Sequence, residues 1–177
     1  MIISLEKAKA LISFPDSWTD EKIEMKLKAV EQTIRAYTNN NFQYRDIRRT
    51  ADIIGGLFLV EALTPFDVGD TVQISESGKN KGLFTVASAD DSTFTVEEAV
   101  KDENDVLVTK VVYPDDVIAC CVNLMEWEVN NRGKVGIKSE TLSRHSVTYF
   151  DQDSNNQVMG YPVALLGCLK PYRKARC

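Results

Sequence analysis

Apolar and polar positions along the 177-residue chain follow two different periods, and the changes between them divide it. Residues 4 to 12 set Leu5, Ala8, Leu11 and Ile12 on one side of a short amphipathic helix. Phe14-Pro15-Asp16-Ser17 breaks that pattern. Ser17 or Thr19 then caps a longer helix, in which Ile23, Leu27, Val30, Ile34 and Tyr37 recur at spacings of four and three. Asp20 and Glu21 stand where the helix dipole favours acids, and Asn39-Asn40-Asn41 tolerates the left-handed stop.

From about residue 46 the helical period gives way to short β-rich runs: Leu57–Val60, Thr71–Ile74, Leu83–Val86, Phe94–Val96 and Val106–Val112. Gly69-Asp70, Ser77–Asn80, Ala89–Ser92 and Asp102–Asp105 separate them with turn chemistry. Strands so short and so closely spaced predict a small barrel of SH3-like or OB-like type. Phe58, Phe66, Phe84 and Phe94 read as its core rather than as a platform for stacking bases.

Pro114 suits the first turn of a helix, and Asp115 and Asp116 follow at its acid-favouring end. Val117, Ile118, Cys121, Val122, Leu124, Met125 and Val129 make that helix apolar over more than one stripe, so it is expected to be covered on two sides, by its own fold or by a neighbouring subunit. Asn131-Arg132-Gly133 stops it. Residues 138 to 150, KSETLSRHSVTYF, read as a loop leading into a strand or hairpin. Tyr161 to Leu169 reads as a short apolar helix and Pro171 to Arg176 as a basic tail. The fold class expected is α+β: a small helical bundle, residues 1–49 and 114–177, interrupted by an inserted small antiparallel β module, residues 50–113.

Charge and chemistry narrow the function. The 21 basic and 26 acidic residues give a formal charge of −5, which argues against a protein whose main task is gripping nucleic acid. The N-terminus lacks the pattern of a secretory signal, and no apolar run approaches the roughly 20 residues of a membrane helix, so the cytoplasm is expected. Cys120, Cys121, Cys168 and Cys177 lack C-x-x-C spacing and read as reduced thiols, small core residues except at the terminus. Ser143 and Ser146 flank His145, the one histidine, but strand neighbours point to opposite faces, and no G-x-S-x-G elbow is present. Neither Gly55-Gly56 nor the Gly78–Gly82 turn makes a phosphate-binding motif. No catalytic residue, metal site or cofactor is expected, and the chain does not read as an enzyme.

The stretches SWTDEKIEMKLKAVEQTIRAYTNNNF and DDVIACCVNLMEWEVNNRGKVGIKSETLSRHSVTYF, with the short apolar helix and basic end, resemble the head-tail connector (adaptor) proteins of long-tailed bacteriophages. Gly136, Ile137, Ser139, Glu140, Ser146, Val147 and Tyr149 fit that family's G-[IV]-x-S-E-…-S-[VF]-x-[YF] segment. The resemblance covers both helical flanks, and the β insert departs from it. It implies a helical bundle that assembles as a ring of about a dozen copies beneath the portal. Such a ring extends the DNA channel, lets DNA pass without specific binding, and docks the next neck or tail-completion protein. The setting would be the virion neck, with assembly in the host cytoplasm. A closed ring needs two complementary faces. The candidate contact residues are Val117, Cys121, Leu124, Met125, Ile137, Ser139, Glu140, Val147, Tyr149, Tyr172 and Arg173. Two other readings stay open: a nucleic-acid-binding or other interaction module using the β insert, and another neck or tail-completion protein.

Overall fold

A computed structural model describes residues 1–134, 139–142, 145–148 and 156–175, with Lys134 and the strand residues between 139 and 148 described by backbone alone. The chain forms two compact units. One comprises Met1 and Asn41–Tyr113, the other Ile2–Asn40 and Pro114–Cys177.

The first unit is a closed antiparallel barrel of six strands: β1 (Gln43–Ile54), β2 (Leu57–Val60), β3 (Thr71–Ser75), β4 (Gly82–Ala89), β5 (Thr93–Val96) and β6 (Glu103–Val111). Around the barrel the order is β1-β2-β5-β4-β3-β6, and β6 closes onto β1. Alternation decides what fills it. Ala51, Ile53, Phe58, Val60, Val72, Ile74, Val86, Phe94, Val106 and Val108 point inward and are buried. Phe58 stacks on Phe94 with ring centroids 4.4 Å apart, and Phe66 meets Phe94 edge-on at 5.2 Å. Phe84 packs partly buried against the same core. The hairpin between β1 and β2 turns on Gly55 and Gly56, both at positive φ (59° and 83°), as a two-residue turn matched to the strand twist requires.

The second unit contains α1 (Leu5–Leu11), α2 (Asp20–Thr38) and α3 (Asp115–Asn131). Ser4 caps α1 by accepting from the Lys7 N–H, and Thr19 caps α2 by accepting from the Lys22 N–H. Asn39, in the left-handed conformation, ends α2. The buried face of α2 carries Ile23, Leu27, Val30, Glu31, Ile34 and Thr38. That of α3 carries Val117, Cys120, Cys121, Leu124, Met125 and Glu128. Beyond α3 come two separate hairpins, β7 (Ser139–Leu142) with β8 (His145–Thr148) and β9 (Gln157–Val158) with β10 (Tyr161–Pro162), and then a 3₁₀ segment, Val163–Tyr172.

The architecture corrects the expected fold class. The chain is a mixed α/β protein in which sheet predominates and the closed barrel is the largest regular body, not a helical bundle interrupted by a small module. The misreading has a physical source in β1. Its first half, QYRDIRR, shows no alternation of apolar and polar residues, because the pairing with β6 shifts between Gln43 and Arg48. A strand that steps off its ladder loses the period that betrays it, and residues 43–49 therefore read from sequence as part of the helical flank. The C-terminal apolar segment also differs, being 3₁₀ with Pro171 inside it.

A disulfide joins Cys120 of α3 to Cys168, 48 positions on, with Cα atoms 6.5 Å apart. This corrects the expectation of reduced core thiols for that pair, since spacing along the chain cannot show which elements fold together. Cys121 is free and buried.

Candidate functional site

The densest polar cluster of the helical unit forms where α3 ends. Burial of apolar positions on two faces of α3 carries Glu128 inside with them, leaving its side chain 2% exposed. A carboxylate in that position must be paired and hydrogen-bonded, and it is. Lys26 of α2 donates to it at 3.0 Å, Tyr161 of β10 donates through its hydroxyl at 2.7 Å, and Arg132 donates through Nε at 2.9 Å and also through Nη2. Burial pushes the Glu128 carboxyl up, but the hydrogen bonds from Arg132, Tyr161 and Lys26 outweigh it and hold the group at about 2. Burial, followed by the bond to Glu128, pushes the Tyr161 phenol well above its ordinary value.

Arg132 adds a second set of contacts. Its guanidinium lies 4.7 Å from the Trp127 ring centroid and 5.1 Å from that of Tyr161, and Nη1 donates to the Gly160 carbonyl at 3.2 Å. The Trp127 and Tyr161 rings themselves are 5.3 Å apart. One carboxylate thus ties together the end of α3 and the β9–β10 hairpin.

The β7–β8 hairpin pairs Ser139 with Thr148, Glu140 with Val147, Thr141 with Ser146 and Leu142 with His145. Among the described residues no third strand joins it. Two strands alone are marginal in water and need a further strand or a packed surface.

The residues singled out from sequence fall into three groups. Val117, Cys121, Leu124 and Met125 are at most 1% exposed and pack inside the helical unit, so their side chains offer no surface to a neighbour. Ser139, Glu140 and Val147 belong to the β7–β8 hairpin, while Ile137 and Tyr149 lie outside the described residues. Tyr172 and Arg173 are engaged within the chain: the Tyr172 hydroxyl donates to Asp116, which raises the phenol pKa, and Arg173 lies 5.2 Å from the Tyr37 ring centroid. Lys174 N–H donates to the Thr38 carbonyl, and Asn39 Nδ2 to that of Ala175. Sequence reasoning missed Glu128, Arg132 and Tyr161. The one available signal was an acidic residue and an arginine four apart at the end of a broadly apolar helix.

Other features do not converge on a reaction. A groove of about 510 Å³ between α1 and α2 is lined by Leu11, Phe14, Trp18 and Ile23, and Lys9 and Asp20 pair across its rim at 2.6 Å. In the barrel, Glu103 accepts from Ser77 Oγ and from the Gly78 and Lys79 N–H groups. The Ser77 hydrogen bond leads in holding its pKa below the ordinary range. That arrangement fixes a turn. Among the described residues no group of three or more His, Cys, Asp or Glu is placed to hold a metal, and no helix is long and apolar enough to cross a membrane. Comparison of the sequence with protein-family models, and with curated proteins, gives no match.

Proposed function

We propose that the chain is a structural subunit that assembles with copies of itself into a ring, and that this ring serves as a head–tail connector in a long-tailed bacteriophage. It would sit in the virion neck between the portal and the next neck or tail-completion protein, after assembly in the host cytoplasm, and DNA would pass through it. No catalytic step is assigned to it. The bacteriophage setting rests on the resemblance of the helical flanks and of residues 136–149 to that family.

The observation that carries the assembly reading is the β7–β8 hairpin. It is a two-stranded sheet without a third strand among the described residues, and it follows α3 in the chain. A neighbouring copy can supply a further strand or a packed surface, and contacts of that unlike kind close into a ring where the rotation between copies closes.

Electron microscopy of the purified protein, alone and mixed with the portal protein, tests this. Rings of about a dozen copies are expected, at least on the portal. Replacing residues 139–148 by a short Gly-Ser linker should abolish them while the helical unit still unfolds cooperatively. Rings that survive the replacement would move the contact elsewhere, and no ring under either condition would end the connector reading.

A further inference from the structure

Cys120 and Cys168 join α3 to the C-terminal 3₁₀ segment, but they do not share one environment. Cys120 stands on the buried face of α3 with Val117, Cys121 and Leu124 and is 1% exposed. Cys168 is exposed. The three-residue period of the 3₁₀ segment explains the difference. Leu166 and Leu169 share one face, both 0% exposed, and that face leaves Cys168 out. Solvent therefore reaches the bond from the Cys168 side.

The surroundings suit the reduced pair as well as the bond. The Leu165 carbonyl lies 3.4 Å from Sγ of Cys120 and 3.4 Å from Sγ of Cys168. A disulfide has no hydrogen to give that oxygen, whereas a thiol does. A buried thiol also packs as a small apolar group, so Cys120 keeps its place on α3 when reduced. Nor does reduction set the 3₁₀ segment loose. Leu166 and Leu169 stay buried, and the Tyr172 hydroxyl donates to Asp116 at 2.6 Å. Asn40 Nδ2 donates to the Tyr172 carbonyl at 3.2 Å, and the Lys174 N–H to the Thr38 carbonyl at 2.8 Å. These contacts keep the two thiols close, at a high effective concentration, so the bond can form again.

We propose that Cys120 and Cys168 form a reversible redox switch, opened at Cys168 by low-molecular-weight thiols of the glutathione class and closed by their disulfides. The small thiolate attacks Cys168 Sγ and forms a mixed disulfide there. The electron pair of the broken S–S bond leaves on Cys120 Sγ, which takes a proton from water. A second small thiol then attacks the mixed disulfide and releases the Cys168 thiol. Two small thiols are thereby oxidised to one disulfide while the protein disulfide is reduced to two thiols, and closure is the reverse. The closed loop contains the β7–β8 hairpin, so the switch sets how firmly the unit that carries it is held. Under the proposed neck reading, the pair is open in the reducing cytoplasm during assembly and closes once the particle leaves it. That timing rests on the neck reading; the switch does not.

The test places the full chain, without denaturant, in buffers of stepped ratios of reduced to oxidised glutathione. Acid quenching, alkylation and peptide mass analysis follow. Cys120 and Cys168 should convert together, and the trapped mixed disulfide should lie on Cys168. Tryptophan-monitored urea unfolding should show the oxidised form more stable, by up to about a thousandfold in the folding constant for a loop of this length. Cys168→Ser should remove that dependence on the redox buffer. No Cys120–Cys168 bond under oxidising glutathione, a bond that opens only in denaturant, a mixed disulfide on Cys120, or unfolding indifferent to the redox buffer would each overturn the proposal. None of these outcomes depends on whether rings form.

Discussion

Glu128→Gln isolates the electrostatic part of the tie at the end of α3. The amide is isosteric with the carboxyl, so packing is kept while the charge goes. A folded pKa near 2, against about 4.3 for a free glutamate, corresponds to about 3 kcal/mol of stabilisation above the free value. Lys26 and Arg132 are 30% and 37% exposed at their side chains, so water relieves part of the loss and the expected cost is about 1.5–3 kcal/mol at pH 7. Both tryptophans, Trp18 and Trp127, belong to the helical unit, so urea unfolding followed by tryptophan fluorescence reads that unit and not the barrel. The pH dependence has a definite sign. A depressed folded pKa gives stability that is complete above the unfolded value and is lost as pH falls from about 4 towards 2. The gap between parent and variant should be constant from pH 5 to 7 and close over that interval. A gap below about 0.5 kcal/mol at pH 7, or one that persists unchanged at pH 2, would refute the reasoning.

Other consequences can be checked separately. Glu103→Gln should lower the barrel's melting temperature at neutral pH and leave the tryptophan-monitored transition alone; the difference should fade on acidification, because the parent carboxylate then protonates and releases Ser77 and Gly78. Burial, with the Glu31 charge second, pushes the Cys121 thiol up to about 12, so iodoacetamide at pH 8 should label it in denatured protein and not in folded protein, as peptide mass analysis would show. Excising residues 42–112 and bridging the ends with a short linker should leave a helical unit that still unfolds cooperatively by tryptophan fluorescence; a molten product would show that it depends on the barrel.

What the sequence discloses depends on whether a local period survives in the fold. The stripe Ile23, Leu27, Val30, Ile34 is the buried face of α2, though Thr38 rather than Tyr37 completes it, and Thr19 and Asn39 cap its ends. The short apolar runs at 57–60, 71–74 and 94–96 lie in β2, β3 and β5 because their inward and outward faces differ consistently. The first half of β1 was illegible for the opposite reason, since a bulge removes the alternation. Val117, Cys121, Leu124 and Met125 are candidates from sequence for a face towards another subunit. Broad apolarity says only that a helix is covered, and here its own chain covers it. The site around Glu128 was hidden because a buried carboxylate is recognised by its partners, and two of them, Lys26 and Tyr161, lie 102 and 33 positions away.

The way the barrel's chain enters and leaves explains how one polypeptide can hold two such units. Gln43 pairs with Val111, the Val112 N–H donates to the Phe42 carbonyl at 3.0 Å, and the Phe42 and Tyr113 rings meet at 5.0 Å. The first and last strands are neighbours, so closing the sheet brings the two crossings together and leaves no strand edge open. Its acids reinforce that independence. Asp52, Asp70, Glu98, Asp102 and Glu103 all accept backbone N–H groups from within residues 41–113. Much of the negative charge that the composition shows therefore tightens turns and loop ends, and a net charge summed over the chain describes neither unit. The same separation lets the helical unit keep its own ion pairs at Glu128 whatever the charge of the barrel.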